Sequence, residues 1–130
     1  MSAEAPLRSE TDIVLARQLV RKLAQQLGFS LVDQTKIVTA TSELARNCLI
    51  YGGGGVMQYE ILNAGLRRGL RLSFVDEGPG IPDLDQALTD GWTSGAGLGL
   101  GLSGTRRLVN EFEIDTKVGA GTRVTIARWK

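Results

Sequence analysis

Two stretches carry apolar residues at helical spacing, and each opens on a cap. Ile13, Ala16, Val20, Leu23 and Leu27 recur at intervals of three and four, the period that lines one face of an α-helix. Ser9 stands three residues before Asp12, the form of a capping box, and Gly28 offers a C-terminal stop. Arg17, Arg21 and Lys22 take the wetter side. Ser30 and Asp33 repeat the cap ahead of a second helix. Its buried stripe is Ile37, Thr41, Leu44 and Cys48, with Val38, Ala45 and Leu49 beside it. Glu43 and Asn47 fall on one flank of that stripe. Their spacing of four places both side chains on one face.

The period then drops to two. Gly52-Gly53-Gly54-Gly55 ends the helix and reads as a flexible link. Residues 56–62 alternate, with Met57, Tyr59 and Ile61 on one side. Residues 63–69 read as a turn, and Leu70, Leu72 and Phe74 form the inward face of a strand that runs into Asp76. The two strands predict an antiparallel hairpin. One or two helical turns are expected at 83–88 and a short polar loop, a candidate lid, at 89–96. A further helix is predicted over 102–112, with Arg106 and Arg107 exposed. Strands at 113–118 and 122–128 follow, turning at Gly119-Ala120-Gly121. Residues 1–8 read as extended or loose, with a short edge strand through Leu7. Runs of helices and hairpins without regular β-α-β alternation indicate an α+β class, helices on one face of a mixed sheet.

At 130 residues the chain suits one domain, 1–130. Folding at this size buries roughly 65–70% of the unfolded surface, enough for one core. A net charge of +1 gives no general attraction for nucleic acid or membrane. The single cysteine, Cys48, excludes an intrachain disulfide framework and fits a reducing compartment. Its place on the apolar stripe makes it a packed thiol rather than a reactive one. No apolar run approaches the roughly 18–20 residues of a spanning helix. The first six residues lack the basic and apolar regions of a signal peptide, so a cytoplasmic protein is expected. The chain contains no histidine. That removes the Ser-His-Asp triad, the histidine metal site and the phosphohistidine intermediate. Any catalysis falls to carboxylates, Lys and Arg, backbone amides and a bound metal.

Three motifs carry candidate chemistry. In Glu43-x-x-x-Asn47, the carboxylate can accept a proton from an attacking hydroxyl or water. The Asn47 amide oxygen suits Mg²⁺, a hard ion that keeps several of its waters. In Asp76-x-Gly78-x-Gly80, a carboxylate at a strand end can accept from an exocyclic amine such as that of adenine. The glycines let a flat base approach the backbone. In Gly97-x-Gly99-x-Gly101-Leu102, backbone amides ahead of a helix form an anion site. Each motif taken alone also has a plain structural reading, as solvated helix face, turn or glycine loop. Gly99-x-Gly101-x-x-Gly104 matches the dinucleotide fingerprint only formally, since the β-α-β context is missing. There is no Walker A sequence, and the protein-kinase Lys, HRD and DFG elements are missing.

Together the three motifs resemble the N, G1 and G2 boxes of the GHKL ATPase/kinase superfamily, over residues 9–130. Gly119-x-Gly121-Thr122 is similar to its last element, where the threonine lies near the adenine. Ser42-Glu43-Leu44-Ala45-Arg46-Asn47, the run from Asp76 to Asp83 and the run from Gly101 to Leu108 resemble the RsbT-like stressosome kinases. These are small bacterial serine/threonine switch kinases related to anti-sigma factors. The resemblance implies a Bergerat ATP-binding fold, a two-layer sandwich with a mixed sheet. It implies ATP and Mg²⁺ as cofactors. It also implies transfer of the γ-phosphate to a serine or threonine of an RsbS- or RsbR-like STAS-domain partner. Release from that partner would free the kinase to activate an RsbU-like phosphatase in the general stress response. Carried over residue by residue, the catalytic base is Glu43 and the magnesium ligand is Asn47. The nucleotide site is Asp76, Gly78, Gly80, Gly97, Gly99, Gly101 and Thr122. Arg46, Arg106 and Arg107 are weaker candidates for phosphate or partner contacts. The short segment between the two glycine motifs leaves no room for a long lid over the nucleotide. An RsbW-type anti-sigma factor, binding a sigma factor, is the alternative reading.

Overall fold

The computed structural model describes residues 2–80 and 101–130. The helical turns expected at 83–88, the loop at 89–96, Gly97 and Gly99 lie outside the described residues. The chain forms strand β1 (Ser2–Leu7), helices α1 (Glu10–Gln26) and α2 (Leu31–Ile50), and strands β2 (Gly55–Ala64) and β3 (Arg67–Asp76). A short helix α3 (Gly101–Arg106) then precedes strands β4 (Glu111–Lys117) and β5 (Gly121–Trp129).

Both long helices begin where local chemistry says they should. The Ser9 hydroxyl accepts from the Asp12 amide at 3.2 Å, and the Ser30 hydroxyl accepts from the Asp33 amide at 3.1 Å. Each satisfies one of the orphan donors of a first turn. The Asp12 carboxylate reaches back to the Arg8 amide at 2.8 Å. At the far end of α1 the amides of Gly28 and Phe29 donate to Gln25 and Ala24 carbonyls, with Gly28 at φ +83°. That is the Schellman closure, and it drops Phe29 into the core. The α2 stripe is buried as its spacing predicts, through Ile37, Thr41, Leu44 and Cys48, and Gln34 is buried as well.

The five strands form one sheet in the order β1-β2-β3-β5-β4. Every pairing among the described residues is antiparallel. The expectation of a mixed sheet is corrected on this point. Each of the pairs β2–β3 and β4–β5 closes as a hairpin, and β5 pairs β3 antiparallel as well, so no parallel crossover arises among the described residues. Alternation sends Met57, Leu70, Leu72, Phe74, Val124 and Ile126 toward the helices, where they join Leu7, Ile13, Val20, Ile37 and Leu44 in one core. The architecture is a two-layer α+β sandwich.

Two further boundaries move. The residues read as a long turn at 63–69 are mostly strand, with only Gly65 and Leu66 outside it. Gly65 at φ +64° makes that tight reversal possible. Helix α3 ends at Arg106 rather than continuing to 112. The Asn110 amide donates to the Ala127 carbonyl, and the Asn110 side chain accepts from the Trp129 amide at 2.7 Å. Sheet pairing thereby captures Phe112 into β4, opposite Ile126.

The other face of the sheet is polar. Gln58 bridges Glu4 and Arg123 (2.9 and 3.1 Å), Arg71 pairs with Glu60 (2.9 Å), and Ser73 shares a hydrogen bond with Thr125 (3.1 Å). A shallow groove of about 420 Å³ runs over these residues. Among the described residues no helix is long and apolar enough to cross a membrane.

Candidate functional site

The β3 strand ends at Asp76, and this end of the sheet is where the motif residues gather. Asp76 pairs with Gly55 on β2 and with Thr122 on β5, and Thr122 pairs with Thr116 on β4. Cross-strand partners share a face. Gly55, Asp76, Thr122 and Thr116 therefore form one row across four strands, on the side that carries Phe74 and Val124 toward the helices.

The Asp76 carboxylate is held by bare backbone. Its Oδ1 accepts from the Gly78 amide at 2.9 Å, a charge-assisted bond that fixes the side chain's direction. A Cβ built on Gly52 would lie 2.3 Å from Asp76 Cγ and 2.6 Å from its Oδ2. A Cβ on Gly78 would lie 2.6 Å from the Cα of Gly52. The carboxylate is thus wedged between the last turn of α2 and its own loop, with Oδ1 committed to Gly78.

The glycine run after α2 is more than a link. The amides of Tyr51 and Gly52 both donate to the Asn47 carbonyl (3.0 and 3.2 Å), and the Gly54 amide donates to the Cys48 carbonyl (2.9 Å). Gly53 and Gly54 sit at φ +74° and +101°. Gly55 lies so close to β3 that a Cβ there would meet the Val75 carbonyl oxygen at 2.0 Å. Gly52 abuts the candidate site residue Asp76, and its residue type gave no sign of it. Four consecutive glycines look like a spacer by composition, and only the position of the first, one turn past Asn47, hints otherwise.

On the other side of Asp76, the loop through Gly78 and Gly80 docks on the β4–β5 turn. The Gly119 amide donates to the Pro79 carbonyl at 2.8 Å. A Cβ on Gly80 (φ +80°) would meet the Lys117 carbonyl oxygen at 2.5 Å, and one on Gly121 (φ +93°) would meet the Asp76 carbonyl oxygen at 2.2 Å. The Thr122 hydroxyl lies 2.8 Å from the Thr116 hydroxyl. Thr116, also missed from sequence, has no motif to mark it.

Glu43 and Asn47 are half-buried on α2, between the solvent face and the core stripe as their spacing predicts. Asn47 is linked to Asp76 through the backbone, since its carbonyl anchors the turn that carries Gly52. Arg46 is also half-buried, and Arg106, at the end of α3, and Arg107, just past it, are exposed. Gly101 opens α3.

Beneath the row, Cys48 donates its S–H to the Val75 carbonyl at 3.5 Å. Burial and then the nearby Asp76 carboxylate push the thiol up to about 12, against the opposing pull of Arg8 and of the Val56 backbone. Such a thiol is a packing group.

Among the described residues no cluster of three or more His, Cys, Asp or Glu could hold a metal ion. A lone amide oxygen such as that of Asn47 suits Mg²⁺ only when the phosphates of a nucleotide complete its shell. Gly52 and Gly78 pack against each other and against the Asp76 carboxylate, an approach that any side chain at either position would block.

With the geometry established, comparison with known proteins gives a consistent result. Residues 32–130 match the family of histidine kinase-, DNA gyrase B- and HSP90-like ATPases. The chain is 44% identical over 123 residues to the serine/threonine-protein kinase RsbT of Bacillus subtilis, covering 95% of this chain and 92% of that one. It is 28% identical over 120 residues to the anti-sigma F factor of Thermoanaerobacter sp., covering 88% and 82%. In structure it is similar to the RsbU and RsbW domains of a Mycobacterium tuberculosis protein, with a TM-score of 0.66 at 20% identity. That match covers 98% of this chain and 32% of the longer one. The chain belongs to the histidine kinase-, DNA gyrase B- and HSP90-like ATPase family and, within it, is a homologue of the serine/threonine-protein kinase RsbT.

Proposed function

We propose that this domain, residues 1–130, binds Mg-ATP at the row around Asp76 and transfers the γ-phosphate to a serine or threonine of a STAS-domain partner. The observation that carries the reading is the wedged Asp76 carboxylate. One oxygen is committed to the Gly78 amide, and the other lies beside the bare backbone of Gly52. A purine amine presented to that second oxygen would find a charged acceptor held in a fixed direction. Gly78 and Gly80 shape the loop there, Thr122 stands next in the row, and Gly97, Gly99 and Gly101 are assigned to the phosphates.

Glu43 is assigned as general base. It would take the proton from the acceptor hydroxyl as that oxygen forms its bond to the γ-phosphorus. The bond from phosphorus to the β–γ bridging oxygen breaks, and ADP leaves with that electron pair. Asn47 would hold Mg²⁺, which when bound neutralises charge on the phosphates. On this reading the protein works in the cytoplasm as a partner switch, leaving its phosphorylated STAS partner (RsbS- or RsbR-like) to activate an RsbU-like phosphatase. The lower identity to the anti-sigma F factors than to RsbT favours this over an anti-sigma role.

The test incubates the protein with labelled ATP, magnesium and candidate STAS partners beside Glu43→Ala. The variant should keep partner binding and lose transfer by about 10²–10⁴-fold, the range of a general base. Transfer unchanged in Glu43→Ala removes the base assignment. Capture of a sigma factor with no STAS partner moves the reading to the anti-sigma alternative.

A further inference from the structure

Thr116 belongs to no glycine motif, yet its hydroxyl touches that of Thr122. Its Oγ1 lies 2.8 Å from Thr122 Oγ1 and donates to the Gly121 carbonyl oxygen at a longer 3.3 Å. The shorter distance is the usual one for a strong hydroxyl–hydroxyl bond. Both threonines face the helices, and Thr122 is the cross-strand neighbour of Asp76. We propose that Thr116 is a positioning residue for base recognition, orienting the Thr122 hydroxyl beside Asp76. The inference rests on the nucleotide reading given above.

The chemistry follows from counting protons. A threonine hydroxyl has one donor and two acceptor sites. When Thr116 donates to Thr122, the proton of Thr122 is released for an acceptor on the ligand. Adenine carries a donor, its amino group, next to an acceptor, its ring N1. The carboxylate of Asp76 meets the first, and a donating Thr122 meets the second. When Thr122 instead donates to Thr116, the proton of Thr116 passes to the Gly121 carbonyl and both hydroxyls stay satisfied. The pair thus offers Thr122 a defined rotamer in either state, and the ligand selects the donating one. Without the Thr116 oxygen, Thr122 loses the 2.8 Å hydrogen bond that holds its rotamer.

The experiment is a double-mutant cycle on ATP affinity with Thr116→Val, Thr122→Val and the pair, alongside Thr116→Ser and Asp76→Asn. Thr116→Val should weaken ATP binding about 3–10-fold, the size of one neutral hydrogen bond. Thr116→Ser should restore it to within about twofold. In the Thr122→Val background, Thr116→Val should have no further effect, because its action passes through Thr122. Multiplicative losses in the double variant, or unchanged affinity in Thr116→Val, would overturn the proposal. Thermal unfolding accompanies each variant, and a cycle with alanine at both positions replaces valine should a valine variant fail to fold. If Asp76→Asn binds ATP as tightly as the wild type, the nucleotide reading itself falls and takes this inference with it. If Asp76→Asn loses ATP while Thr116→Val does not, only the inference falls.

Discussion

The Cα of Gly52 and the carboxylate of Asp76 occupy adjoining space with no room for a side chain between them. A Cβ at position 52 would lie 2.5 Å from Asp76 Cβ and 2.6 Å from Oδ2. Gly52 is not among the glycines at positive φ, so alanine there meets the carboxylate and no backbone strain. Gly52→Ala is expected to push the Asp76 side chain off the Gly78 amide. Nucleotide affinity should fall by about tenfold or more, the value of a hydrogen bond to a charged group. Titration with a fluorescent ATP analogue, alongside thermal unfolding, separates this loss from simple destabilisation.

Asp76→Asn keeps an oxygen for the Gly78 amide and turns the second acceptor into an NH₂ donor. Against an exocyclic amine that is donor facing donor. ATP affinity should drop roughly 10–150-fold with little change in melting temperature. Calorimetric titration of ATP reads the effect, and wild-type affinity in the variant would dismiss Asp76 as the base acceptor.

Cys48 has its thiol pushed from 9.0 up to about 12. The folded value lies above the unfolded one, so the native state holds its proton where the unfolded chain has lost it. The stabilisation is therefore complete below about pH 9 and is lost as pH rises toward 12. Urea midpoints should decline across that window, and the decline should be shallower in Cys48→Ala. Thiol-labelling at neutral pH should be slow in the native protein and rapid once urea unfolds it.

Asp33 ties the two layers together. Arg128 on β5 donates to its carboxylate at 2.5 Å, and the same guanidinium donates to the Leu108 carbonyl at 2.9 Å. Its hydrogen bond to Arg128 holds the Asp33 carboxyl below its ordinary value of 3.8. A depressed folded value means the contribution is present above that range and disappears as pH falls through the folded value. Asp33→Ala should cost about 1–3 kcal/mol, because it leaves a largely buried guanidinium without its carboxylate. Chemical denaturation at pH 7 measures the cost, and the gap between variant and wild type should narrow in acid.

Much of this molecule was legible from residue order alone, for a local reason. Helix starts at Ser9 and Ser30, the Gly28 stop, the burial stripe of α2 and the strand phases around Met57 and Leu72 depend on neighbours within a few positions. The Glu43–Asn47 pair, Asp76 and the glycine motifs stand out as candidates through residue type and short spacing.

What needed the folded chain depends on pairings between distant segments. The place of β5 between β3 and β4, the antiparallel pairing of β1 with β2 and of β3 with β5, and the capture of Phe112 from a predicted helix follow from sheet hydrogen bonds that no local window contains. The same holds for the site. Gly52 passes for a spacer until the end of β3 is laid against it, and Thr116 is an ordinary strand threonine until β5 brings Thr122 within 2.8 Å. Residue order determines which groups are present and which face they take. Close packing of remote backbone decides which of them lie against one another and which has a hydrogen-bond partner.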